Sequence, residues 1–114
     1  MIIYLNDQYV DKDKAHVSVF DRGLLFSESV YEVIPYINGR CIGLEPHLQR
    51  LTNSLQSIHI PSTLTTKNWK SIFKALLQRN NLQDTDVQFY IQITSGAYAR
   101  RDHQRPHTIT PTVI

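Results

Sequence analysis

The sequence has little of several features that define common classes of protein. Its single cysteine, Cys41, cannot form an internal disulfide and has no second thiol for a zinc site, which favours a reducing compartment. No basic segment followed by a long apolar run occurs at the start, so neither a signal peptide nor a membrane span is predicted. The glycine motifs of nucleotide-binding proteins and serine hydrolases are also missing. We therefore expect a cytoplasmic protein.

Composition is typical of one folded domain. Of the 114 residues, 41% are hydrophobic and 19% are charged, so neither disorder nor a fibrous repeat is indicated. Twelve Lys and Arg against ten Asp and Glu give a net charge of +2, which is too balanced for a polyanion-binding tail. We predict one domain over residues 1–114, with no nucleic acid or membrane as partner.

Periodic patterns predict an α+β fold. Two-residue alternation or β-branched residues predict strands at residues 2–5, 8–10, 16–20, 30–37, 40–44 and 87–93, with a further β-like run from residue 108 to 114. Asn6-Asp7 and Asn38-Gly39 are turn sequences between successive strands. The order of strands, two helices and strands predicts an α+β domain with a largely antiparallel sheet.

Two helices are predicted from apolar residues at helical spacing. The first begins at Pro46, is limited by Pro61, and has an apolar stripe of Leu48, Leu51, Leu55 and Ile58. The second has Thr65 or Thr66 as its N-cap, ends at Asn80-Asn81, and has an apolar stripe of Trp69, Ile72, Phe73, Leu76 and Leu77.

The first stretch with unusual residues runs from Asp21 to Glu32. Asp21-Arg22-Gly23 is typical of a turn that opens a loop, and its acid and base could form only a local ion pair. Tyr31 and Glu32 alternate on the following strand, so one of them faces inward. A buried tyrosine with a satisfied hydroxyl is the simplest interpretation of Tyr31.

The second stretch surrounds Arg50, which lies at the flank of the apolar stripe of the first helix. An arginine in this place could bind a phosphate with two parallel hydrogen bonds, or could only cover apolar surface with its stem. His47, in the same stretch, could likewise serve a binding site or only cover the helix surface.

The third stretch is a basic loop, residues 99–107, that follows the strand ending at Gly96. Its clustered cations could bind a carboxylate or phosphate. Contact with nucleic acid, a metal site at His103 and His107, and a solvated loop are the alternatives, although Pro106 and the lack of a third ligand argue against a metal. The residues alone therefore predict an anion-binding site of open identity.

Together the three stretches resemble D-amino-acid aminotransferases of class IV, which depend on pyridoxal phosphate. The resemblance is carried, in order and at matching spacing, by Asp21-Arg22-Gly23 with Phe26, Val30-Tyr31-Glu32-Val33, Asn38-Gly39, His47-Leu48-Gln49-Arg50-Leu51, and Arg101-Asp102-His103 with Pro106. Branched-chain aminotransferases and aminodeoxychorismate lyases share the first motifs, whereas the Arg-x-His loop favours the D-amino-acid branch.

The resemblance implies a role for each matching residue. Arg50 would bind the cofactor phosphate, and Tyr31, Arg101 and His103 would bind the α-carboxylate of a D-amino acid or 2-oxo acid. The loop residues would reach the neighbouring subunit, which implies a homodimer. None of the five lysines matches the Schiff-base position, which would lie in a second domain beyond Ile114. We therefore expect the chain alone to be inactive and to bind pyridoxal phosphate only weakly.

The sequence departs from the family pattern at three places. Ser27-Glu28-Ser29 replaces Gly-Asp-Gly, Ser95 replaces an arginine, and the loop before Arg101 is one residue longer, which makes Arg100 a rival to Arg101. An aminodeoxychorismate lyase or branched-chain aminotransferase fragment, and a non-catalytic module for anion binding or dimerisation, stay open as alternatives.

Overall fold

The computed structural model describes residues 1–61 and 64–114, and within them the predicted α+β fold is confirmed. The helices are α1 (Arg22–Phe26), α2 (Leu44–Ser57) and α3 (Thr66–Asn80), and a short 3-10 helix covers Lys12–Lys14. The strands are β1 (Ile2–Leu5), β2 (Gln8–Asp11), β3 (Ser29–Ile37), β4 (Arg40–Cys41), β5 (Val87–Thr94) and β6 (Thr112–Val113). No helix in the described ranges is long and apolar enough to cross a bilayer.

The main sheet is antiparallel and has the strand order β4-β3-β5-β6. Its centre is the pairing of β3 with β5, in which Glu32 lies opposite Ile91 and Ile34 lies opposite Phe89. The β1-β2 hairpin is separate and is held to the sheet by a hydrogen bond from Asn6 N to the Val113 carbonyl at 3.0 Å.

Helices α2 and α3 cover one face of this sheet and form the core with it. Phe73 of α3 stacks on Phe89 of β5 with ring centroids 4.2 Å apart. Thr65 is the N-cap of α3, since its hydroxyl accepts from Asn68 N at 3.2 Å while Asn68 Oδ1 accepts from Thr65 N at 2.8 Å. Both predicted stripes contribute buried side chains, namely Leu48, Leu51 and Leu55 from α2 and Trp69, Ile72, Phe73 and Leu77 from α3.

The hairpin after β3 is confirmed, but its return strand is shorter than predicted. Asn38 and Gly39 both have positive φ, as this tight turn requires. Strand β4 nevertheless ends at Cys41 instead of residue 44, because Gly43 at φ 63° is the N-cap of α2. Helix α2 therefore begins at Leu44, two residues before Pro46.

Two predictions for the first loop were wrong, and the strand at the end of the chain is shorter than expected. Residues 16–20 form no strand and are exposed; Phe20 N instead donates to Ser18 Oγ, and Asp21 N donates to the Ser18 carbonyl. The alternating pattern failed because no neighbouring strand pairs with it. Asp21 opens a helix and not a loop, since its Oδ1 accepts from Gly23 N at 2.8 Å. Near the end of the chain only Thr112–Val113 is a strand.

The opposite face of β3 and β5 is not covered by a helix in the described part of the chain, and we call it the open face. Tyr31 and Tyr90 lie on it with 67% and 56% of their surface exposed, and their ring centroids are 6.3 Å apart in a stacked arrangement. One residue of the pair faces inward as expected, and it is Glu32, so the interpretation of Tyr31 as a buried tyrosine was wrong.

Candidate functional site

Arg50 forms the centre of the first cationic cluster. Its Nε donates to Glu32 Oε1 at 2.6 Å and its Nη2 donates to Glu32 Oε2 at 2.7 Å, so the guanidinium and carboxylate pair in two parallel hydrogen bonds. Glu32 comes from β3, is 2% exposed, and also accepts from His47 Nδ1 at 2.7 Å. Because a carboxylate only accepts, the proton of His47 lies on Nδ1.

The pair with Glu32 fixes one edge of the Arg50 guanidinium and leaves the other available. The Arg50 side chain is 68% exposed, and its Nη1 makes no hydrogen bond to any described residue. The hydrogen bond and charge of Glu32 raise the pKa of Arg50, with a smaller contribution from Tyr31. In return Arg50, and next His47, hold the pKa of the Glu32 carboxyl below its ordinary value.

A second cationic cluster lies where α1 meets the basic loop. Arg22 of α1 is buried, and its Nε and Nη2 donate to Glu28 Oε2 and Oε1 at 2.9 and 2.6 Å. Its Nη1 also donates to the Asp102 carbonyl at 2.7 Å. Hydrogen bonding to Arg22 holds the pKa of Glu28 low. The local ion pair expected for Asp21-Arg22 is therefore replaced by a pair between Arg22 and Glu28.

Arg101 and His103 lie together on the ring of Phe26. The Arg101 guanidinium is 5.1 Å from the Phe26 ring centroid, and the His103 ring is 5.2 Å from it. Arg101 Nη1 and His103 Nε2 are 3.4 Å apart, and both side chains are exposed. Arg100 instead faces Asp102, with its Nη2 3.8 Å from Oδ2, and is 86% exposed.

The four predicted site residues do not meet in one cluster within this chain. Tyr31 stacks on Tyr90 on the open face, whereas Arg50 reaches Glu32 from the side of α2. No hydrogen bond, ion pair or ring contact among residues 1–61 and 64–114 joins Tyr31 to the loop pair of Arg101 and His103.

Three charged residues of the two clusters were not assigned to the site from the sequence. They are Glu32, Arg22 and Glu28, which hold the exposed cations or the loop in place. The alternation of Tyr31 with Glu32 was the one signal that an acid could point inward.

The serines that replace the family glycines have different consequences. Ser27 has φ 57° and ψ 25° at the C-terminus of α1, a left-handed conformation that costs a non-glycine residue about 1 kcal/mol. Ser29 begins β3 and has no positive φ. Of the two replacements, therefore, only Ser27 occupies a position where glycine has a backbone advantage.

All five lysines are exposed. Lys67, Lys70 and Lys74 lie on the outer side of α3, and Lys12 and Lys14 lie in the 3-10 helix. Within residues 1–61 and 64–114, the one lysine with an ion pair is Lys70, whose Nζ is 3.0 Å from Glu45 Oε1.

The structure is an α+β domain with two arginine clusters, and known proteins have this fold. The family described as Amino-transferase class IV matches residues 29–114. D-alanine aminotransferase of Staphylococcus haemolyticus is 32% identical over 111 residues, which cover 97% of this chain and 37% of that protein. A Methanocaldococcus jannaschii protein named as a putative branched-chain-amino-acid aminotransferase is 37% identical over 91 residues, which cover 80% of this chain and 32% of that protein.

Solved structures agree with the sequence relatives. The branched-chain amino acid aminotransferase from Escherichia coli has the same fold over 98% of this chain and 39% of that one, with a TM-score of 0.84 at 20% identity. The chain belongs to the class IV aminotransferase family. It spans between 32% and 39% of the length of these relatives.

The two carboxylates of the clusters predict how stability depends on pH. Glu28 and Glu32 both have pKa values below the ordinary 4.5, so each stabilises the fold fully above that value and less as pH falls through its lowered pKa. The free energy of unfolding should be nearly constant from about pH 5 to 7 and should decrease below about pH 4.5. Urea denaturation followed by circular dichroism at several pH values measures this.

Two variants test whether Glu32 causes the loss of stability in acid. Glu32→Gln should lower stability at pH 7 and flatten the acid dependence, because the amide cannot be protonated and points a donor at Arg50 or His47. Glu45→Gln breaks only the exposed pair with Lys70 and should behave like the unchanged chain. An unchanged pH dependence in Glu32→Gln would contradict the assignment.

Proposed function

We propose that the chain is the N-terminal part of a pyridoxal-phosphate-dependent D-amino-acid:2-oxo-acid aminotransferase. In this proposal Arg50 binds the cofactor phosphate, and Tyr31, Arg101 and His103 bind the α-carboxylate of the amino or oxo acid. The observation that carries the proposal is the placement of Arg101 beside His103 on Phe26, which leaves the remaining N–H groups of an exposed guanidinium next to an imidazole for binding a carboxylate. The D-alanine aminotransferase relative, which covers almost the whole chain, supports the D-amino-acid branch.

Arg50 suits the phosphate of the cofactor. Glu32 and His47 hold the Nε edge of its guanidinium, so the side chain loses little conformational freedom when a phosphate binds to the exposed Nη1. The bound cofactor would supply the electron-withdrawing ring on which amino-group transfer depends.

The proposal favours Arg101 over Arg100 as the carboxylate ligand. Arg101 is stacked beside His103, whereas Arg100 extends into solvent toward Asp102. Arg101 Nη1 donates to His103 Nε2 at 3.4 Å, which leaves the other N–H groups of the guanidinium and His103 Nδ1 for a carboxylate. Because Tyr31 lies apart on the open face, Arg101 and His103 would reach the site of the neighbouring subunit of a homodimer and act there with its Tyr31.

The catalytic lysine belongs, in this proposal, to a second domain that follows residue 114. The five lysines of this chain are exposed, whereas a nucleophilic amine needs activating surroundings within a site. This chain covers only 37% of the D-alanine aminotransferase relative and 39% of the Escherichia coli enzyme, which leaves room for such a domain.

A substrate comparison on the protein with its second domain tests the proposal. With a 2-oxo acid as acceptor, D-alanine should be consumed and L-leucine should not, because the carboxylate ligands fix which face of the amino acid meets the cofactor. Transamination of L-leucine alone would indicate a branched-chain aminotransferase. Release of pyruvate and p-aminobenzoate from aminodeoxychorismate would indicate a lyase, and no turnover of any of the three would contradict an enzymatic role.

A further inference from the structure

Arg22 has more polar contacts than a buried ion pair requires. Besides its two hydrogen bonds to Glu28, it donates to the Asp102 carbonyl at 2.7 Å and lies 3.5 Å from the His103 carbonyl. These two carbonyls belong to the residues that directly follow Arg101. Arg22 itself is fixed at the end of β5, since its backbone N donates to the Gly96 carbonyl at 2.9 Å.

Phe26 adds a second contact between α1 and the same part of the basic loop. Arg22 and Phe26 are four residues apart, so both project from one side of α1. The Arg22 guanidinium lies 4.5 Å from the Phe26 ring centroid, and Arg101 and His103 contact the ring as well. Arg22 thus holds the loop backbone while Phe26 supports the loop side chains.

Glu28 explains how Arg22 can be buried here. A buried guanidinium without a counter-charge is strongly disfavoured, and the two parallel hydrogen bonds with Glu28 compensate it. The Asp102 carbonyl then accepts from Nη1, on the other side of the fork. Without Glu28, only the neutral carbonyls of Asp102 and His103 would remain to balance the charge of Arg22.

We propose that Arg22, held by Glu28, is a positioning residue that sets the placement of Arg101 and His103 for binding a substrate carboxylate. This inference rests on the proposed function of those two side chains. Arg22 does not touch the carboxylate; it fixes the backbone between the two residues that do. A displacement of about 1 Å in such a site is enough to weaken binding strongly.

The test uses the protein with its second domain and three variants. Arg22→Lys keeps the charge but loses the fork, Glu28→Gln keeps the shape but loses the counter-charge, and Glu45→Gln is a matched control at an exposed ion pair. Hydrogen exchange of residues 99–107 is compared with that of α3. Pyruvate is the probe for the carboxylate site, with its Kd measured by loop protection and its KM and kcat by turnover.

Both Arg22→Lys and Glu28→Gln should speed hydrogen exchange of residues 99–107 about tenfold and leave exchange in α3 unchanged. The loss of one charge-assisted hydrogen bond shifts a local opening equilibrium by this factor or more. The Kd and KM of pyruvate should rise about tenfold, while kcat stays within about threefold. If one variant fails to fold, the other suffices. Glu45→Gln should match the unchanged protein in every readout.

Three results from the variants would overturn the inference. The first is hydrogen exchange of residues 99–107 that stays unchanged, and the second is exchange that rises equally in α3. The third is faster exchange of the loop while the protein binds pyruvate as tightly as before. A protein that binds no pyruvate also overturns it, because there is then no carboxylate site to position. If pyruvate binds and the variants weaken it but no transamination occurs, the inference stands and the proposed function fails.

Discussion

Arg50→Gln should lower the affinity of the two-domain protein for pyridoxal phosphate by about a hundredfold, since the phosphate would lose charge-assisted hydrogen bonds to the guanidinium. Arg50→Lys keeps the positive charge but has no planar fork, and we expect it to lose about tenfold. Titration of the apoprotein with the cofactor, followed by its absorbance, gives the dissociation constants. Arg50 is suited to this test because its side chain is exposed and its Nη1 edge is available.

Arg40→Gln is the matched control for this prediction. Arg40 is an exposed arginine on β4, so its replacement removes the same charge from the same small domain and should leave cofactor affinity unchanged. Because Arg50→Gln also leaves the buried Glu32 with His47 alone, the unfolding midpoint of each variant must be measured beside its affinity. Equal affinities for Arg50→Gln and Arg40→Gln, with both proteins folded, would remove Arg50 from the phosphate site.

Gly96→Ala should destabilise the fold by about 3 to 5 kcal/mol, the largest effect on stability that we expect of a single methyl group. Gly96 has φ 83°, and a Cβ built on it would lie 1.9 Å from the Thr110 carbonyl oxygen. The clash is with backbone beyond the far end of the basic loop, so no rotation of a side chain relieves it. Urea denaturation of both proteins measures the difference.

Gly39→Ala measures the cost of a positive φ without the steric clash that Gly96→Ala adds. Gly39 has a similar φ of 77°, but nothing lies within 4 Å of an added Cβ, so the variant should lose only about 1 kcal/mol. Similar losses in the two variants would show that the contact with Thr110 is relaxed in solution. A larger loss at Gly96 would confirm that this glycine brings the two ends of the loop region together beside Arg22.

The strands and helices that form the core could be predicted from local patterns. The stripes of α2 and α3 and the alternation of β5 repeat over two or more turns or pleats, and burial of one face selects for such repeats. Residues 16–20 have the same alternation but no partner strand. Whether an alternating segment pairs depends on the rest of the sheet, which the segment does not encode.

The sequence named candidate site residues, and their roles in binding stay predictions. Arg50, Arg101 and His103 were expected to bind anions, and all three are exposed and lie near other charged groups or aromatic rings. The simplest interpretation of Tyr31 was a buried tyrosine, but it lies on the open face. Which of Tyr31 and Glu32 faces inward depends on the register of β3 against β5, and alternation alone leaves both choices equal.

The sequence by itself determined the domain class, the two long helices, the central strands and the family, because each depends on patterns of residue type along the chain. Only the tertiary structure decided the pairing of Arg50 with Glu32 and of Arg22 with Glu28 and the loop carbonyls. Arg50 and Glu32 are 18 residues apart, and Arg22 and Asp102 are 80 apart. Such contacts are set by how the helices pack on the sheet, since a charge finds its partner only after the backbone has brought the two together.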